Sequence, residues 1–134
     1  MQSYLPLAAR IFLSIVFLRA AVAKLLDPAG TQQVMASKGL PLAGFLLIGA
    51  IVLLLGGGLS ILLGYKTRWG VIALLVFLIP TTLIFHTNWA ENTQVIQFTK
   101  NLAISGGLLM LAAFGSGALS LDEKLANRYS NRIF

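Results

Sequence analysis

Three cations stand where charge is unfavourable: Arg10, Arg19 and Lys24 lie inside an apolar stretch that runs from Tyr4 to Leu26. A guanidinium held near the centre of a bilayer costs about 2.5–3.5 kcal/mol on insertion scales. Groups of this kind reach the interface by snorkelling, find a partner, or sit in a water-filled cavity. At 100° per residue, Arg10, Phe17 and Lys24 share one stripe and Arg19 falls on the opposite face. Arg10 and Lys24 are then expected to snorkel towards opposite surfaces. The Arg19 head would have to climb about eight residues, near 12 Å, to clear Asp27. A partner on another helix or another subunit is expected for it.

A second set of polar residues recurs at helix ends. Thr82 and His86 are four apart, and Lys100 and Asn101 precede Ser105 by about one turn. Lys24, Asp27, His86, Trp89, Glu91, Lys100 and Asn101 all fall near the ends of apolar segments that face one side. They form either a mixed-charge polar pocket capped by two loops or a simple interfacial ring that holds helix ends together. Other chemistries are poorly served. The chain has no cysteine, which removes disulfides, thiolate metal sites and thiol redox chemistry. Its one histidine supplies neither a zinc shell nor bis-histidine haem ligation. Four acids in all, and no Ser–His–Asp set, give little basis for acid–base or nucleophilic catalysis. Gly56-Gly57-Gly58, followed by Gly64-Tyr65-Lys66-Thr67, has the wrong spacing for a phosphate loop and lies in an apolar run. These glycines read as packing residues: Gly56, Ser60 and Gly64 recur every four positions, as do Ala103 and Gly107.

The elements that position these groups follow from hydropathy. Of 134 residues, 57% are hydrophobic and only 10% charged, and the mean hydropathy of +0.86 belongs to a membrane protein. A soluble domain carries roughly 25% charged residues. Residues 39–65, 69–90 and 101–121 contain no charge, and each exceeds the length of about 20 residues that spans a bilayer. With residues 4–26 they predict an all-α, four-span bundle in one domain, with spans at about 4–26, 43–64, 69–89 and 99–117. A cleaved leader is the competing reading of the first segment, with Arg10 as its basic region and Ala21-Val22-Ala23 as its cleavage site. A first membrane helix stopped at Asp27-Pro28 fits better. Loop one is expected to carry a short interfacial helix over residues 32–38 capped by Thr31, turned into the second span by Gly39-Leu40-Pro41. Ser120 and Glu123 have capping-box spacing. They open a basic amphipathic tail over about 120–134, with Lys124, Arg128 and Arg132 beside Leu125, Tyr129, Ile133 and Phe134.

The net charge of +6 reads as a topology signal rather than a nucleic-acid site. Four spans put both ends of the chain beside Lys66, Arg68, Lys124, Arg128 and Arg132, so the positive-inside rule expects cytoplasmic termini. Trp69 and Trp89 mark the two interfaces of the third span.

The order and spacing of several short elements resemble the DoxX family of small bacterial membrane proteins. They are Ala9-Arg10-Ile11, Ala23-Lys24-Leu25, Gly30-Thr31-Gln32-Gln33, Met35, Lys38-Gly39-Leu40-Pro41, Gly56-Gly57-Gly58-Leu59, Leu63-Gly64, Phe85-His86, Trp89, Lys100-Asn101-Leu102 and Ser105-Gly106-Gly107. The resemblance implies a four-helix bundle in the bacterial inner membrane, or in a thylakoid membrane. It also implies a link to redox physiology, since relatives include a small subunit of a thiosulfate:quinone oxidoreductase. This chain departs from the family at two places. Leu54 stands where members commonly carry a glutamate, and Arg19 stands where they have a small or uncharged residue. The expected function is an accessory or structural subunit of a membrane redox or electron-transfer complex, its redox centre belonging to the partner. The alternative is a stand-alone binder or carrier of a quinone, lipid or xenobiotic in the pocket at the outer helix ends. Expected partners are the lipid bilayer and other membrane subunits or further copies of the chain, with no intrinsic cofactor and no nucleic acid.

Overall fold

A computed structural model describes residues 4–85 and 89–133, with residues 129–133 as backbone only. Six helices follow in order: α1 (Tyr4–Leu26), α2 (Pro28–Ser37), α3 (Ala43–Leu63), α4 (Thr67–Phe85), α5 (Asn92–Phe114) and α6 (Leu121–Ile133). Among the described residues there is no strand. Helices α1, α3, α4 and α5 are each long and apolar enough to cross a membrane. Lipid offers no partner to a bare peptide group, so an apolar segment of this length must satisfy its backbone as a helix.

The bundle core is a set of seams. The buried residues of α1 are Arg10, Ser14, Phe17 and Ala21, and those of α3 are Leu47, Ala50, Leu54, Gly57, Gly58 and Ile61. Spacings of three and four residues keep one stripe of each helix turned inward. Leu54, at the position of the family glutamate, is fully buried with Phe17, Ala21, Leu74 and Leu108. Helix α3 is central and packs against both α1 and α4, α5 lies on α4, and α1 and α5 touch only sparingly. The α1–α5 seam is therefore the loosest in the bundle.

Close packing uses different small residues from those expected. Gly56 is exposed and a side chain there would meet open space, and Ala103 is exposed as well. The close approach of α3 and α4 runs through Gly57 and Gly70, where a Cβ would lie 2.6 Å from Leu74 and 2.4 Å from Ser60 respectively. Of the expected repeat, Ser60 meets Gly70 and Gly64 is closely packed, while Gly56 lies off the contact and Gly57 takes its place. Gly107 does sit near Leu13 of α1, at 3.3 Å from an added Cβ. Gly64 is a left-handed C-cap, φ 67°, rather than a mid-helix packing residue.

The helix bounds depart from the expected spans where polarity and helicity diverge. The first span matches α1, and the second matches α3 to within one residue. α5 starts at Asn92, well before residue 99, because its polar first two turns are helical without being apolar. The loop-one helix starts at Pro28, not residue 32. Its cap is Asp27, whose Oδ1 accepts the Gly30 N–H at 3.0 Å, with Pro28 in the first turn. Thr31 instead donates its hydroxyl back to the Asp27 carbonyl at 3.2 Å. Ser120 caps α6 as its spacing implied, accepting the Glu123 N–H at 3.2 Å.

Candidate functional site

Polar groups gather at both ends of the bundle. At the end that carries the start of α1 and all of α6, Arg10 is 1% exposed. It does not snorkel. Its guanidinium donates Nη1 to the Ile61 and Leu62 carbonyls at 3.3 and 3.2 Å, and Nη2 to the Leu119 carbonyl. Two of these carbonyls belong to the last turn of α3, where helix oxygens lack partners and the dipole favours a cation. Nε alone has no partner. Gly64 leaves the space, since a Cβ there would fall 2.5 Å from Arg10 Nη1. Asp122 does the matching work for α4. Its carboxylate accepts the Lys66 N–H at 2.7 Å, the Thr67 N–H at 3.1 Å and the Thr67 hydroxyl at 2.8 Å. Lys66 holds a left-handed backbone, φ 48°, that few non-glycine residues adopt. Partial burial tends to raise the Asp122 carboxyl. The hydrogen bonds from Thr67, Lys66 and Ser116 outweigh it and hold the group below the ordinary carboxylate value. Most of these bonds run to backbone and the rest join neighbouring side chains of the same end, so this end reads as a structural knot.

Each end carries a groove of about 580 Å³, and Asp122 and Glu123 line only the one at the Arg10 end. The cleft at the other end lies between α1, α4 and α5, lined by Arg19, Lys24, Phe77, Thr81, Gln97, Lys100 and Asn101 among others. On α1 the small residues Ala20 and Ala23 lie between Arg19 and Lys24 around the helix, and they hollow the wall that the two cations flank. Arg19, placed by the helical wheel away from the Lys24 stripe, thus reaches the same cleft. On α5 the lining residues are Gln97, Lys100, Asn101 and Ile104, one face at helical spacing. Lys24 Nζ stands 5.6 Å from the centre of the Phe77 ring. Asn101 is 9% exposed and donates Nδ2 to the Thr82 hydroxyl at 2.9 Å, which in turn donates to the Leu78 carbonyl at 2.7 Å. That chain of bonds fixes α5 against α4 and sets the floor of the cleft. No acid lines it.

The structure therefore brings together Lys24, Lys100 and Asn101, and adds Arg19. It does not add Asp27, which is exposed and committed to capping α2. Trp89 stacks obliquely on Phe98 at 4.8 Å between ring centres, and Glu91 begins α5 without a side-chain cap. His86 lies outside the described residues. Thr81 and Gln97 were missed as lining residues, although Gln97 stands three and four residues before Lys100 and Asn101 and so shares their face.

Comparison with known proteins places the chain in a lineage. The DoxX family model matches residues 5–87, which ends before α5. The chain is 44% identical over 123 residues to the inner membrane protein YqjF of Escherichia coli, covering 92% of this chain and 93% of that protein. It is 34% identical to the inner membrane protein YphA of the same organism, over 90% of this chain and 89% of that one. A shorter match, 35% over 79 residues, reaches 26% of the yeast ER-derived vesicles protein ERV29. No solved structure matches the chain. With four apolar helices and relatives of this kind, the protein is a multi-pass inner-membrane protein and belongs to the DoxX family.

Proposed function

We propose that this protein binds a small amphiphile, which enters sideways from the bilayer into the cleft between α1, α4 and α5. The observation that carries the reading is the cleft itself. About 580 Å³ falls within the usual range for small-molecule sites, roughly 300–1,000 Å³. Its apolar wall of Val16, Phe17, Ala20, Leu78 and Ile104 suits a chain or ring, and its polar groups suit a head. The loose α1–α5 seam gives a lateral entrance, and the positive-inside balance supports a cleft in the outer leaflet with cytoplasmic termini. The test is photolabelling of the purified protein in nanodiscs with a photoreactive quinone and a photoreactive lipid. Labels should concentrate on residues 15–24 and 97–104, and Ala23→Trp, which fills the cleft, should remove them. Labels spread evenly over the exposed faces of α3 and α5 would overturn the reading.

A second reading, an accessory subunit of a membrane redox complex, is favoured by Arg19. Its side chain is exposed on the lip of the cleft and has no ion pair among the described residues. A carboxylate from a partner subunit would complete it. Purification in mild detergent followed by mass spectrometry separates the two: a stoichiometric partner lost in Arg19→Leu supports the subunit, and a chain that migrates alone removes it.

A further inference from the structure

We infer that the head group taken by this cleft is a phosphate, carried on an acidic lipid. The inference rests on the cleft being a binding site, and adds the chemistry of what fills it. Arg19, Lys24 and Lys100 come from two helices and line one cleft that no Asp or Glu lines. Like charges that line one cleft repel one another, and a partly buried one such as Lys24 is screened less than at a free surface. A neutral quinone ring would leave all three unpaired. A single group with several anionic oxygens answers all of them at once. Arg19 supplies a planar fork suited to two phosphate oxygens, and the two lysines supply mobile point charges. Thr81 and Gln97 add neutral hydrogen-bonding groups on the same lining.

The lipid source follows from the shape. The apolar wall of the cleft continues from the polar end along α1 and α4, through Val16, Phe17, Phe77 and Leu78. A soluble phosphate ester would leave that wall bare. An acyl chain would cover it. Further along the same α1–α5 seam lies a second groove of about 540 Å³, lined by Leu5, Pro6, Phe12, Leu13, Met110 and Phe114, which is almost wholly apolar. A tail leaving the cleft along the seam would meet it.

The experiment uses the intact protein in phosphatidylcholine nanodiscs doped with phosphatidylglycerol of the same chain length. Native mass spectrometry reads which lipid remains bound. Wild type should retain phosphatidylglycerol selectively. Arg19→Gln, Lys24→Gln and Lys100→Gln should each lower that selectivity about fivefold, the weight of one basic residue near an acidic head. Lys38→Gln and Arg68→Gln, outside the cleft, should leave it unchanged. Glycerol phosphate should not compete; if it does, phosphate recognition stands and the lipid source falls. Equal retention of both lipids in wild type and in the three variants, with both displaced by Ala23→Trp, would overturn the acidic lipid and leave the cleft standing. If Ala23→Trp changes nothing as well, both fall. Melting curves of Arg19→Gln and Lys100→Gln should match wild type, because both side chains are exposed.

Discussion

Arg10 and Arg19 are the same side chain nine residues apart in one helix, and the fold treats them oppositely. Arg10 is sealed and aimed at three backbone carbonyls, and Arg19 is exposed on an open lip. Hydrogen bonds to charged groups are worth about 1.5–3 kcal/mol each. Arg10→Met should therefore lower stability by about 3 kcal/mol or more, read as a fall in the detergent melting temperature, whereas Arg19→Met should shift it little. Asp122 gives a prediction in pH. Its folded pKa is depressed, so its stabilisation is present above the unfolded value and is lost as pH falls through the folded one. The wild-type melting temperature should fall as pH drops below the ordinary carboxylate value of 3.8. Asp122→Asn should lose that slope and melt lower at pH 7, by the roughly 1 kcal/mol typical of a lost helix cap.

At the scale of elements, one substitution pair separates the two glycine faces of α3. Gly57→Ala forces a Cβ against Leu74 and to 3.0 Å from the Gly70 carbonyl, so it should cost about 1–3 kcal/mol. Gly56→Ala meets open space and should stabilise the helix by about 0.5–1 kcal/mol. Equal effects in a thermal melt would refute the assigned face. The error in reading that face from sequence has a plain cause. A small residue every four positions marks one side of a helix, but three successive glycines offer three such sides, and only the neighbours choose among them. Hydropathy located α1 and α3 closely because lipid forces the backbone of an apolar segment into a helix. It located the start of α5 poorly because Asn92 and Gln94 are helical in a segment that is not apolar. Part of the cleft was legible, since Lys24, Lys100 and Asn101 sit at the ends of apolar segments that topology brings to one side. Arg19 was not, because its role depends on the small residues Ala20 and Ala23 beside it, and a wheel shows direction without depth.

Across the whole molecule, the bundle is tied tightly at one end and loosely at the other. The chain lacks cysteine, so single introduced thiols report topology cleanly. Ser37→Cys and Asn92→Cys should react with an impermeant maleimide on intact cells, and Arg68→Cys and Glu123→Cys only after permeabilisation. The reverse pattern would invert the orientation and place the cleft in the inner leaflet. The tight end also bears on how the protein is made. Arg10 leaves the ribosome long before one of the carbonyls it holds, that of Leu119, more than a hundred residues later. Asp122, which secures α4, comes later still. Until the tail is synthesised, the first helix waits in the membrane with an incompletely satisfied guanidinium. A chain cut before Leu119 lacks one acceptor for Arg10 and the carboxylate that secures α4.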